Sequence, residues 1–258
     1  MRLARRYFLA FVCTMLFVSL LLVSCGGGSK TDTSLSDVQK AGVLNVATDD
    51  TYPPLEWNDN GTIKGYDIDL MDEIASRLGV EAEFMSIKWD GLLTGLSVNQ
   101  YDAVISSMNI TPGRLEEANF VEYMQWLQVI VMSPDANPVS TLEELEGKRI
   151  AVQVSTTSEE MANSVKDAQV SSFESFDTTF MELKNGRCDA IIIDEPVGMY
   201  YQKLEPSLFV ITGTAGERAP VGIALKKGAN ALTDAIQEAM DDIKEDGTAD
   251  RIYDKWFK

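Results

Sequence analysis

Beyond residue 40, short apolar runs alternate with amphipathic stretches, the pattern of strands and helices taking turns along one chain. Val43-Leu44-Asn45-Val46-Ala47 reads as a strand. Leu70, Ile74 and Leu78 then fall on one helical face, and Gly79 stands where that helix would stop. Glu81 to Met85 reads as the next strand, Asp90 as the cap of a helix holding Leu92, Leu93 and Leu96, and Ala103-Val104-Ile105 as a third strand. A second cycle opens near Pro134. Ile150 to Val154 is strand-like, Thr156 and Glu159 have the spacing of a capping box, and Ala190 to Ile193 is a strand that stops at Asp194. Val221 to Leu225 forms the last strand, and a helix carrying Leu232, Ile236, Met240 and Ile243 closes the chain. This order predicts an α/β protein with mainly parallel sheets flanked by helices, in two cycles that suggest two lobes. No low-complexity linker and no internal sequence repeat separates them.

The first thirty residues follow another rule. Arg2, Arg5 and Arg6 precede an apolar run from Tyr7 to Val23, the charged head and hydrophobic stretch of a secretory signal. The run ends in Leu22-Val23-Ser24-Cys25, which resembles the lipobox of bacterial lipoproteins. That resemblance implies removal of residues 1–24 and attachment of lipid to Cys25; the alternative is a retained membrane helix. Residues 25–37, rich in glycine and serine at their start, are expected to form a flexible tether. An extracytoplasmic protein held at the membrane by its lipid follows.

Composition then excludes several chemistries. Of the three cysteines, Cys13 lies in the signal and Cys25 is the lipidation candidate, which leaves Cys188 without an intramolecular disulfide partner. The chain has no histidine, the commonest acid–base and metal-ligating side chain, and neither a metal nor a cofactor is expected. With the signal's three arginines set aside, 19 cations face 40 carboxylates, a net charge of −21. That balance argues against nucleic acid and against an electrostatic hold on anionic lipid.

In open α/β sheets ligands bind beyond the carboxyl ends of the strands, so polar residues just after each strand are the site candidates. They are Asp49 and Tyr52, the stretch from Ser106 through Ser107 and Asn109 to Arg114, the stretch from Gln153 to Ser158, and Asp194. Thr111 suits a helix N-cap and Pro112 the first helical position, which puts Arg114 in the first turn, where the helix dipole opposes a cation. Such an arginine is suited to a carboxylate, through its planar fork, or to an ion pair with Glu116 or Glu117. Asp194 can receive an ammonium group or cap the helix that Glu195-Pro196 begins. Arg114 and Asp194, one in each cycle, together complement the two ends of a zwitterion. Thr156 and Thr157 stand at another helix start, where free N–H groups favour a carboxylate. Tyr52 and Trp89 either wall a ligand or serve as loop and core aromatics.

Several segments resemble the bacterial family-3 extracellular solute-binding proteins, the binders of polar amino acids. They are Ala47 to Trp57, Gly65-Tyr66-Asp67-Ile68-Asp69-Leu70, Trp89 to Leu93, Ile110 to Arg114, Gln153 to Glu159, Asp189 to Asp194, and the ending Glu245 to Thr248 with Ile252 to Phe257. The resemblance covers nearly all of residues 38–258. It implies two lobes, residues 38–123 with 221–258 and residues 127–217, joined by crossings at 123–127 and 217–221. It also implies that Arg114 holds the ligand α-carboxylate and Asp194 the α-amino group. Ser107, Asn109 and Thr157 would add hydrogen bonds, Thr157 towards the carboxylate. Asp49 would face the ligand side chain, with Tyr52 and Trp89 flanking it.

The expected protein is a monomeric substrate-binding component of an ABC importer, which closes on a polar or cationic L-amino acid and docks on a membrane permease. This chain departs from the family pattern in three places: Glu122-Tyr123-Met124 is one residue shorter than the usual segment, Ser155 replaces a usual glycine, and Asn109 replaces a commoner threonine. The alternatives are a cyclohexadienyl-type dehydratase on the same scaffold, which would need an acid–base group in the cleft, and a sensory or cell-wall module.

Overall fold

The structure, a computed structural model, describes residues 31–258. The signal segment and Cys25 lie outside the described residues. Along the chain the elements are α1 (Ser34–Ala41), β1 (Val43–Thr48), β2 (Thr51–Tyr52), β3 (Glu56–Asp59), β4 (Thr62–Lys64), α2 (Tyr66–Leu78), β5 (Glu81–Ser86), α3 (Leu92–Ser97), β6 (Ala103–Val104), α4 (Pro112–Glu117) and β7 (Ala118–Trp126). They continue with β8 (Gln128–Met132), β9 (Arg149–Gln153), α5 (Thr157–Ser164), β10 (Gln169–Phe173), α6 (Phe176–Lys184), β11 (Ala190–Asp194), α7 (Glu195–Leu204), β12 (Val210–Thr214), β13 (Ala219–Lys226), α8 (Asn230–Glu245) and α9 (Thr248–Phe257).

Two five-stranded sheets organise these elements, in the orders β5-β1-β6-β13-β7 and β10-β9-β11-β8-β12. In the first, β1 runs parallel to β5 and β6, while β13 is antiparallel to β6 and β7. In the second, β9 runs parallel to β10 and β11, while β8 is antiparallel to β11 and β12. Both sheets therefore share one plan, a parallel trio extended by an antiparallel pair, without a matching sequence repeat. Helices cover them. Leu44, Val46, Ile130, Ile150 and Ile191 to Ile193 are all fully buried, and each such side chain contributes about 1.5–3 kcal/mol on leaving water. Cys188, just before β11, belongs to the same core at 5% exposure.

Only Leu127 separates β7 of the first sheet from β8 of the second, and the chain returns between β12 and β13. The two passages lie side by side as an antiparallel ladder that pairs Met124 with Val221, Gln125 with Pro220 and Trp126 with Ala219.

Four expectations are corrected. The stretch expected as tether is helical from Ser34, and it is anchored: Asp32 accepts from the Ala231 N–H at 2.7 Å and Ser34 Oγ from the Leu232 N–H at 3.1 Å. These two side chains satisfy N–H groups that the start of α8 cannot pair internally. Asp90 does not cap α3; it lies in a single 3₁₀ turn, Trp89–Gly91, that leads into the helix. The chain closes on α9 rather than α8, because Gly247 at φ 75° ends one helix and starts another. A small antiparallel sheet of β2, β3 and β4 also interrupts the expected strand-to-helix passage after β1.

Candidate functional site

The carboxyl ends of β1, β6, β9 and β11 converge on a cleft between the two sheets. Asp49, Tyr52, Glu56, Trp89, Ser106, Ser107, Asn109, Gln128, Gln153, Thr156, Thr157, Ser158, Phe176 and Asp194 line it. Ten of the eleven ligand-site candidates read from the sequence are on that wall; Arg114 is the exception.

Two helix starts shape the polar side. Thr111 caps α4, with Oγ1 accepting from the Arg114 N–H at 3.3 Å and Pro112 at the first helical position. Thr156 caps α5, with Oγ1 accepting from the Glu159 N–H at 3.1 Å and its own hydroxyl donating to Gln153 O at 2.7 Å. The Glu159 carboxylate returns one residue further than a capping box, to the Ser155 N–H at 2.6 Å. Thr157 Oγ1 donates to Asn109 Oδ1 and accepts from Gln128 Nε2, each at 2.8 Å. One hydroxyl thus joins residues from both sheets.

Other contacts also cross the cleft. The Tyr52 hydroxyl donates to Asp194 Oδ2 at 2.9 Å, and the Tyr52 ring meets Phe176 edge-on at 4.8 Å. Gln153 Nε2 donates to Asp49 Oδ2 at 2.6 Å, and Lys88 pairs with Glu174. Arg114 sits at the rim: Nη1 donates to Asn109 O at 2.9 Å, Nη2 donates to Ser155 O at 3.2 Å, and the guanidinium lies 5.1 Å from the Trp89 ring centre. Trp89 Nε1 donates to the same Ser155 carbonyl at 3.0 Å. Among the described residues Arg114 forms no ion pair with Glu116 or Glu117. Ser107 and Ser155 hold left-handed backbone at φ 49° and 60°, a conformation uncommon outside glycine. The Ser155 value explains why glycine suits that position.

Electrostatics give the cleft its sign. Three carboxyls, Asp49, Glu56 and Asp194, line it and all are buried. Burial pushes Asp49 up to about 6 against the opposing pull of its bonds from Gln153 and Thr51. Burial likewise pushes Asp194 to about 6 against the pull of its bond from Tyr52 and of the neighbouring Gln128 amide. Burial draws the Arg114 guanidinium below its ordinary value, and the nearby carboxylates oppose that. Among the lining residues, Asp194 Oδ1, Gln128 Oε1 and Glu56 Oε2 are acceptors without a donor, while Asn109 Nδ2 is a donor without an acceptor. Buried polar atoms are rarely left so. Their inventory matches a ligand that donates more hydrogen bonds than it accepts.

Glu56, Gln128, Ser158 and Phe176 complete the wall beyond the candidates read as ligand residues. Ser158 fell within a stretch marked as a site candidate, and Glu56 within a segment quoted for the resemblance. Gln128 is a polar residue opening the apolar run Val129 to Met132, a signal that was available.

Residues 44–258 match the pattern of the bacterial extracellular solute-binding proteins, family 3. The chain belongs to that family. Among the solute-binding relatives, the L-cystine-binding protein TcyJ of Escherichia coli (strain K12) is 31% identical over 227 residues, which is 86% of this chain and 85% of the relative. A solved ancestral arginine-binding protein bound to arginine superposes with a TM-score of 0.81 at 38% identity, covering 84% of this chain and 99% of that one. The ancestral amino acid-binding protein AncCDT-1, a precursor of cyclohexadienyl dehydratase, gives a TM-score of 0.82 at 37% identity, covering 87% and 100%.

Proposed function

We propose that this chain captures a free L-amino acid with a cationic or polar side chain outside the cytoplasm and presents it to the membrane permease of an ABC importer. The observation that carries this reading is the cleft's surplus of unpaired acceptors, Asp194 Oδ1 and Gln128 Oε1, over its one unpaired donor, Asn109 Nδ2. An α-ammonium group fits between Asp194 and Gln128, which face each other across the β8–β11 ladder. Asn109 Nδ2 and the Thr157 hydroxyl suit the α-carboxylate, and Arg114 at the rim supplies its counter-charge once it leaves a backbone carbonyl. Asp49 with the aromatic rings of Tyr52, Trp89 and Phe176 suits the side chain, whose positive or polar end a buried carboxylate favours. Family membership and the arginine- and cystine-binding relatives support the same reading.

Capture proceeds by rotation of two lobes, residues 38–123 with 221–258 and residues 127–217, about the paired passages at 123–127 and 217–221. A ligand that touches both lobes favours the closed arrangement by the contacts it makes only there. The N-terminal reading completes the proposal: residues 1–24 are removed, Cys25 carries the lipid, and the binding domain works as a monomer at the membrane surface.

A thermal-shift screen of residues 26–258 against the twenty amino acids, cystine and ornithine tests the function. A ligand at about a hundred times its dissociation constant adds roughly 2.7 kcal/mol of stability. A raised midpoint with one or a few amino acids is expected. A folded protein that none of them shifts would overturn the reading, and turnover of a cyclohexadienyl substrate would replace it with the dehydratase activity named for the descendant of AncCDT-1.

A further inference from the structure

The Gly65-Tyr66-Asp67 segment marks the family, yet none of its side chains lines the cleft. Its geometry points beneath the cleft floor. A Cβ on Gly65 would lie 2.0 Å from Leu55 O and 2.9 Å from the Glu56 Cα, and Gly65 has φ 144°, so only glycine lets α2 begin against β3. Two backbone bonds fix the approach, from the Tyr66 N–H to Pro54 O at 3.1 Å and from the Asp67 N–H to Leu55 O at 3.0 Å. They seat Asp67, fully buried, within hydrogen-bonding reach of Glu56, 1% exposed.

The two carboxyls are satisfied unequally. Asp67 Oδ2 accepts from the Ser107 N–H at 3.0 Å, the Ser107 hydroxyl at 3.3 Å and the Tyr123 hydroxyl at 2.8 Å. Glu56 Oε1 accepts only from the Ser106 hydroxyl, at 3.0 Å, and Ser106 Oγ in turn accepts from the Asp49 N–H at 3.0 Å. Glu56 Oε2 and Asp67 Oδ1 have no donor. The titratable groups facing the pair are the carboxyls of Asp49 on β1's end and Asp194 on β11, with the phenols of Tyr52 on β2, Tyr66 on α2 and Tyr123 on β7. All are acids, and none supplies a compensating positive charge. Two adjacent buried carboxylates in such surroundings cannot both ionise without heavy cost, and one proton between them removes both the repulsion and the two unpaired acceptors.

We propose that Glu56 holds a proton shared with Asp67, and that this pair is a positioning device that sets Ser106, Ser107 and Tyr123 for ligand capture. Asp67, with three donors, is the ionised partner, and Glu56 is the proton bearer. Through Ser106 the pair fixes the backbone of Asp49, through Ser107 it holds the left-handed turn on the cleft wall, and through Tyr123 it reaches the first passage between the sheets. Burial and the neighbouring Asp67 carboxylate hold the Glu56 carboxyl well above its ordinary range. The shared proton is independent of the ligand reading, whereas its part in capture rests on that reading.

The test compares the ligand-free wild type, Glu56→Gln and Glu56→Ala by thermal unfolding from pH 7 to 8.5, above the range in which Asp49 and Asp194 titrate. Calorimetric titration with the tightest amino acid found in the screen is done at the same pH values. Glutamine offers a donor to Asp67 and an acceptor to Ser106 without a titrating proton. As pH rises across this window the wild-type midpoint should fall, because the folded state keeps a proton that the unfolded glutamate has released, by up to tenfold in the folding constant per pH unit. The Glu56→Gln midpoint should stay level there, and its binding should far exceed that of Glu56→Ala at each pH. A Glu56→Gln slope equal to wild type, or binding as poor as in Glu56→Ala, would overturn the proposal. Glu56→Gln decides alone if the alanine variant does not fold. If no amino acid binds any of the three, the ligand reading fails, and the ligand-free slopes still decide the shared proton.

Discussion

Asp49 and Asp194 occupy ground where burial and function pull in opposite directions. Both carboxyls stand near 6 because the closed wall withdraws water from them. Between about pH 6 and 4.5 the folded, ligand-free protein therefore binds protons that the unfolded chain does not. Its stability should rise as pH falls through this range and be lost as pH climbs back through 6. Ligand affinity should run the other way, because a protonated Asp194 cannot pair with an ammonium group. Calorimetric titrations should show a loss of up to about tenfold per pH unit below 6. Arg114→Ala should cost on the order of a hundredfold or more for every amino acid tested, since the α-carboxylate is common to all. Asp49→Asn should redistribute preference among side chains instead. Equal titration curves for wild type and Arg114→Ala would remove the arginine from the site. At this scale the sequence was informative wherever a residue ends or follows a parallel strand, as Gln153 and Asp194 or Asp49 and Ser106 do. Gln128 escaped because β8 is antiparallel to β11, so its first residue rather than its last reaches the cleft. Phe176 escaped because an aromatic at a helix start reads as core, and it is indeed 2% exposed.

The helix starts facing the cleft hold their side chains in place through caps. Thr156→Ala removes the acceptor for the Glu159 N–H and should lower stability by about 1 kcal/mol, which chemical denaturation would measure; Thr156→Ser should restore most of it. An alanine variant as stable as wild type would mean that water replaces the cap. Strands such as β1, β9 and β11 were legible because sheets covered on both faces need uninterrupted apolar runs. The β3–β4 hairpin was not read, although Asn60 and Gly61, at φ 53° and 94°, are the residue pair that such a tight turn favours. The start of α1 was hidden for a different reason. Its residues look like linker locally, and Asp32 and Ser34, reaching the start of α8 some two hundred residues along the chain, tie them down. Contacts at that separation leave no periodicity to find.

At the scale of the whole molecule, two of the bonds that cross the cleft meet on one backbone atom. The Ser155 carbonyl receives the Trp89 indole N–H and the Arg114 guanidinium, both from across the cleft. Trp89→Phe keeps an aromatic wall but loses one of these bonds. The variant should release ligand about fivefold faster, at a nearly unchanged association rate, in a filter-binding chase. A slower association with normal release would place Trp89 in encounter rather than in the closed state. The two-sheet plan was legible from the alternation of elements, whereas the extended ladder joining Met124–Trp126 to Ala219–Val221 needed the structure. Cys188 lies within the core that these sheets build, at 5% exposure, and burial lifts its thiol to about 12. Neither oxidant nor alkylating reagent can readily attack a thiol that is both covered and protonated. Among the described residues it is the one thiol, a silent clock inside the fold, and its rate of chemical labelling reports how often the second sheet opens.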